Sequence, residues 1–136
     1  MKKTIIALAL GVASFACSAQ ADLFVGKFGH EYTSPEGTPV WEIKRNNGQY
    51  QFDILNDEDP SQSAHEFSEN ERRKFWKTML WPEEGSIPAS CVGNAERVMC
   101  YVTPQVRSRT DWLKDNKSNY FYYDQLLGVM EVQKLE

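Results

Sequence analysis

The dipeptide Asn47-Gly48 constrains this chain more than any other pair of residues. It sits inside Val40 to Leu55, Val-Trp-Glu-Ile-Lys-Arg-Asn-Asn-Gly-Gln-Tyr-Gln-Phe-Asp-Ile-Leu. A type I′ turn needs positive φ at both central residues, and Asn-Gly supplies it at the lowest steric cost. That turn fixes a register. Arg45 then faces Tyr50, Ile43 faces Phe52 and Trp41 faces Ile54, all on one face because side chains alternate with a period of two. Lys44 opposite Gln51 and Glu42 opposite Asp53 take the other face. A one-residue slip would send Trp41 and Ile43 into water, so burial and turn chemistry agree on one pairing. The like charges of Glu42 and Asp53 oppose it slightly, and Lys44, diagonal to Asp53, offsets them.

The beginning of the chain reads as an export signal. Lys2-Lys3 form a positive start, Ile5 to Val12 an apolar run too short to span a bilayer, and Ala19-Gln20-Ala21 a small-x-small cleavage site before Asp22. The leader resembles those of proteobacterial outer-membrane proteins, which speaks to address alone. Residues 1–21 are therefore expected to be a cleaved Sec signal peptide, and the mature domain to be periplasmic or secreted. A lipoprotein anchored through Cys17 is the lesser expectation: the preceding Ser14-Phe15-Ala16 lacks the aliphatic residue that such a signal carries. No later stretch is apolar for long enough to be a transmembrane segment.

Residues 22–136 suit one globular domain with one core. Without Lys2 and Lys3 the chain keeps 13 basic against 19 acidic residues, a formal charge of −6. That balance argues against nucleic acid and anionic membrane surfaces, and it is compatible with a basic protein partner. Two cysteines remain, Cys91 and Cys100. An even count in an oxidising compartment favours a disulfide, and Gly93-Asn94 between them allows a reversal that would clamp two neighbouring strands. The spacing is not that of a metal or redox pair.

The remaining elements follow from pattern. Asp22 to Phe28 reads as a first strand. Asn56 to Ser63 reads as an acidic loop, without the glycine that an EF-hand loop requires at its sixth position. Ser68 to Leu80 reads as the one convincing helix, with Ser68 and Glu71 at capping-box spacing and Pro82 to stop it. Its Arg72, Arg73 and Lys77 are expected on a solvated basic face. Ser86–Val92 and Arg97–Thr103 read as the disulfide-linked strands, Ser108–Lys114 as a short capped helix or turn around Trp112, and Tyr120–Asp124 and Val129–Leu135 as the last strands. The expected fold is mainly β (α+β): a small antiparallel meander or open barrel of about seven strands, one inserted helix at 68–80 and one hairpin disulfide.

The chain carries no recognisable catalytic constellation. His30-Glu31 and His65-Glu66 both fail the zincin pattern, since Ser34 and Glu69 stand where the second His should be. Neither a Gly-x-Ser-x-Gly elbow nor a glycine-rich phosphate loop is present. No catalytic residue, metal ligand or cofactor is expected. The aromatics are more suggestive. In the run Tyr120-Phe121-Tyr122-Tyr123, alternate residues must face outward or cover an edge. Tyr120, Tyr122, Tyr123 and Trp112, with the acidic Asp57, Glu58 and Asp59, are the candidate partner-binding residues. The competing expectation is that the outward aromatics lie under the inserted helix.

Three functions fit. The first is a non-enzymatic periplasmic binding protein, an inhibitor or immunity protein that blocks a basic cell-envelope enzyme or toxin. The second is a small-molecule carrier: Val25-Gly26-Lys27-Phe28 followed by paired strands resembles the opening of lipocalin-like barrels, whose first strand carries Gly-x-Trp, with Phe28 in the place of the Trp. The third is a small hydrolase whose site assembles in space around His30 or His65. Partner identity and oligomeric state have no signature in the chain.

Overall fold

The computed structural model describes residues 22–30, 37–55, 57–79 and 87–136. The expected leader and Cys17 lie outside them. Eight antiparallel strands close into a barrel: β1 (Gly26–Gly29), β2 (Trp41–Asn46), β3 (Gln49–Ile54), β4 (Gln62–Glu66), β5 (Ser90–Gly93), β6 (Arg97–Tyr101), β7 (Tyr120–Asp124) and β8 (Gly128–Lys134). Each strand pairs with its sequence neighbours, and β1 closes on β8 through Phe28↔Lys134 and Gly29↔Gln133. Helix α1 (Glu69–Thr78) lies between β4 and β5, and α2 (Pro104–Arg109) between β6 and β7.

The hairpin adopts the expected register throughout, from Asn46↔Gln49 to Trp41↔Ile54. Asn47 takes φ 51° and Gly48 φ 79°, the positive values that select these residues at the turn. Lys44 reaches both Glu42 (3.5 Å) and Asp53 (3.7 Å), so the like charges share a cation.

The sheet is a closed eight-stranded barrel, not an open one of about seven strands. The difference is β4, whose first two residues fall in the expected 56–63 loop and whose other three the sequence pattern assigns to no element. Its sequence Gln-Ser-Ala-His-Glu buries only Ala64 and so carries almost no apolar alternation. Its place comes from its neighbours: it pairs with β3 through Tyr50↔Ala64 and with β5 through His65↔Gly93. With it the ring closes and no strand keeps an unpaired edge. The first strand begins later than expected, at Gly26, and residues 22–25 fold across one end of the barrel. There Phe24 is buried, and Lys134 donates to the carbonyls of Asp22 and Leu23.

Among the described residues there are two helices rather than one. The first runs Glu69–Thr78, with Ser68 and Glu71 forming the expected capping box. Leu80 and Pro82 lie outside the described residues. The second begins earlier than the 108–114 expected for it: Thr103 caps it and Pro104 opens it, because proline's missing N–H costs nothing in a first turn. Trp112 sits in the turn that follows. Among the described residues no helix is long and apolar enough to cross a membrane.

Two cores share the barrel wall. The inner one fills the lumen with Phe28, Ile43, Phe52, Val92, Met99, Tyr122 and Val132, each fully buried. An eight-stranded barrel is just wide enough for side chains to fill, and here they do. The outer core lies on the far face of β5–β7, where Cys91, Val98, Cys100, Val102 and Phe121 meet Trp76 of α1 and Leu113. Strands β5–β7 are thus covered on both faces, while the outward positions of β2–β4 carry Glu42, Lys44, Gln51, Asp53, Ser63 and His65. Cys91 and Cys100 stand directly opposite one another with Cα atoms 4.1 Å apart, and their disulfide lies within the outer core. Gly93 ends β5 where the backbone turns back on itself. A Cβ there would lie 2.2 Å from the Arg97 carbonyl oxygen, so no larger residue fits.

A candidate partner-binding end

The β3–β4, β5–β6 and β7–β8 connections all fall at one end of the barrel, as the up-and-down topology requires. At the tip of the β7–β8 hairpin, Leu126 is 95 % exposed and Leu127 63 % exposed. Exposed leucines on a floppy loop would mean little, but this turn is built. Asp124 Oδ1 accepts from the backbone N–H of Leu126 (2.8 Å) and of Leu127 (2.5 Å), Gly128 takes φ 74°, and Gln125 donates to the Ala95 carbonyl of the neighbouring turn (3.3 Å). The apolar surface continues down the outer face of β8 through Val129, with Tyr123 opposite it on β7.

Carboxylates flank this tip on the side of the β3–β4 and β5–β6 connections. Asp57, Glu58, Asp59 and Glu96 are exposed in the adjoining connections, and Asp124 stands at the base of the turn. Arg97 is the cation among them. It is 8 % exposed and donates to Asp59 Oδ2 at 3.0 Å. Asp57 and Glu58 make no ion pair with the described residues. The side chains Asn94 and Gln62 tie the β5–β6 turn to the start of β4 (2.9 Å), so these loops form one surface. The two helical connections are basic. Residues 67–79 and 102–119 carry eight Lys and Arg against four Asp and Glu.

The structure separates the residues singled out in sequence. Asp57, Glu58 and Asp59 are on the apolar-tipped end. Tyr123 borders it, packed against Phe75 with ring centroids 5.1 Å apart. Tyr122 is fully buried and is removed from any binding surface. Its hydroxyl donates to Asp124 Oδ2 (3.0 Å), and burial, reinforced by that carboxylate, raises its pKa. Tyr120 points into the other mouth of the barrel, donates to the Leu23 carbonyl (2.6 Å) and has its pKa pushed up to about 12 by burial. Trp112 is 45 % exposed, but its ring packs edge-on against Phe121 (5.5 Å), away from the acidic end. Phe121 and Tyr123 are the outward pair of the aromatic run, and they lie under the helices. Leu126 and Leu127 were missed because Gln-Leu-Leu-Gly resembles a strand end; a Leu pair bounded by Asp124 and Gly128, both turn formers, was the available signal.

The histidines do not meet in any described cluster. His30 lies beside Trp41 (ring centroids 5.7 Å), while His65 is exposed and bonded to Glu71 Oε2 (2.5 Å). That bond, with lesser help from the cap, holds the Glu71 carboxyl below its ordinary pKa despite some desolvation. Among the described residues no group of three His, Cys, Asp or Glu is placed to hold a metal ion. At the mouth opposite the acidic end, Asp22 accepts from Phe24 N–H (2.9 Å), Tyr50 hydroxyl (2.7 Å) and Arg45 (3.2 Å). Burial works to raise the Asp22 pKa, but these bonds together outweigh it and lower it. Burial, then the Asp22 carboxylate, pushes Tyr50 up to about 12.

No protein-family model, no curated protein and no solved structure matches this chain.

Proposed function

We propose that this protein is a non-enzymatic exported binding protein that blocks a basic cell-envelope enzyme or toxin, as an inhibitor or immunity protein does. The observation that carries the reading is the Leu126-Leu127 tip, an apolar anchor whose turn is hydrogen-bonded by Asp124 and flanked by the connections that carry Asp57, Glu58, Asp59 and Glu96. Interfaces concentrate their energy in a few apolar anchors, and rim charges set on-rate and partner choice. An apolar anchor flanked by acidic groups fits a basic protein with an apolar pocket or active-site cleft. A hairpin needs little reordering to insert, which lowers the entropic penalty of binding. The packed lumen weighs against a carrier that holds its ligand inside the barrel. The described His65–Glu71 pair is exposed rather than buried, which weighs against the hydrolase.

The test is capture followed by an activity assay. Residues 22–136 with the disulfide formed are immobilised and exposed to native periplasmic extract of the source cell. The reading expects one stoichiometric basic protein, eluted by salt, whose own activity falls when this chain is added. A column that retains no protein, or a retained protein whose activity is untouched, would overturn it.

A further inference from the structure

A cleft of about 930 Å³ lies outside the barrel, between α1, the Pro88–Ser90 segment and the start of α2. It is on neither the acidic end nor the lumen. Its walls are apolar at Phe67, Trp76 and Val106, and its polar groups include Arg72 and Arg73. Its volume falls in the range of sites that bury a small molecule.

Arg72 decides the chemistry. The sequence placed it on a solvated basic face, yet it is 9 % exposed. One Nη donates to the Ala89 carbonyl at 3.0 Å, and Nε has no partner among the described residues. Among the described residues the nearest carboxylate oxygen, Glu69 Oε1, is 4.0 Å away, and that same oxygen already takes a 2.9 Å bond from Arg73. A buried guanidinium is costly to keep unless an anion and enough acceptors compensate it. Among the described residues two guanidinium groups share one carboxylate, which leaves an excess positive charge beside an apolar wall.

We infer that this cleft binds an amphipathic monoanion, a carboxylate on an aliphatic body, with its head at Arg72 and Arg73 and its chain along Phe67, Trp76 and Val106. The planar guanidinium matches a carboxylate in two-point geometry. The hydroxyl of Thr103, whose oxygen already accepts from Val106 N–H at 3.3 Å, keeps its proton available to the head group. The inference is independent of the partner-binding end.

Sodium laurate, below its micelle concentration, is the probe, titrated into the disulfide-bonded mature chain by calorimetry with tryptophan fluorescence in parallel. Dodecanol and dodecylamine serve as neutral and cationic controls. The expected result is saturable one-to-one laurate binding, with both controls weaker by roughly tenfold or more. Arg73→Gln changes only an exposed helix pair and leaves the fold intact, and it should weaken laurate by roughly tenfold. Val106→Trp, which fills the cleft, should abolish binding while leaving the Leu126-Leu127 end untouched. No saturable laurate binding would overturn the inference. So would equal binding of all three amphiphiles, or laurate binding unchanged in both variants.

Discussion

Reducing the Cys91–Cys100 bond removes a crosslink without changing any other atom of the chain, so its effect can be worked from the loop it closes. The two residues are separated by nine positions. In the loop-entropy model a ring of that size restricts the unfolded chain by roughly 2.5–3 kcal/mol at room temperature. The folded state has little to lose in exchange, because the two residues already stand opposite each other in a paired ladder, and β5 and β6 keep that ladder when the bond is gone. The sulfurs lie in the outer core and both cysteines are 1 % exposed, so a reductant reaches them only when the outer core opens. Two results are expected. First, chain denatured and refolded under reductant is less stable than the oxidised chain by about 2.5 kcal/mol, a fall in melting temperature of roughly 10 °C for a domain of this size. Urea unfolding followed by circular dichroism measures it, and the slope should barely change because so small a loop hides little surface in the unfolded state. Second, the native protein resists a reductant that reacts at once in urea, as thiol counting over time would show. The reasoning is refuted if oxidised and reduced chains melt within about 2 °C of each other, or if the native bond reduces as fast as it does in urea.

Gly93→Ala places a Cβ 2.2 Å from a backbone oxygen that no rotamer change can move, and should cost about 1–3 kcal/mol by chemical denaturation, whereas Ala at the exposed Gly37 should leave the β5–β6 ladder intact. Asp22→Asn should lower the melting temperature at neutral pH by about 5 °C, since it weakens hydrogen bonds to a charged acceptor. Because the folded Asp22 pKa is lowered, its stabilisation is present above the unfolded value of about 3.9 and is lost as pH falls through the folded value, so the wild-type and variant melting curves should converge in acid. Tyr50 and Tyr120, at about 12, behave in the opposite sense: their stabilisation is complete below the unfolded value of about 10 and is lost as pH rises above it. Phenolate absorbance should therefore show these groups, and Tyr122 with them, resisting ionisation until alkaline unfolding sets in.

What could be read from the sequence was what local chemistry fixes. Asn47-Gly48 set a turn, the turn set a register, and the register placed Trp41, Ile43 and Phe52 in the lumen. Ser68 and Glu71 set a helix start because both halves of the cap lie within one turn. Strand β4 was not legible because its only buried residue is Ala64, and its pairing is dictated by β3 and β5 on either side. Closure depended on that strand, so it was not legible either. The site divides in the same way. The acidic triplet Asp57–Asp59 was visible as charge, but which tyrosines reach the surface depends on where α1 and α2 settle, and those helices cover Phe121 and Tyr123 while the lumen takes Tyr120 and Tyr122. Arg72 shows how a tertiary contact overrides pattern. Helical spacing put it with Arg73 on a wet face, but the Ala89 carbonyl draws it inward.

The claim at the centre is that the Leu126-Leu127 tip is the anchor of a protein interface. The most direct test is the equilibrium affinity of the captured basic partner for the wild-type chain and for Leu126→Ser/Leu127→Ser, each measured across a salt series. Both side chains are exposed and the Asp124 turn uses only backbone N–H groups, so the variant should fold and melt like wild type. The account predicts that it binds at least about a hundredfold more weakly, through faster dissociation, with the salt dependence of association left in place by Asp57, Glu58 and Glu96. An affinity within about threefold of wild type would place the interface elsewhere and contradict the account.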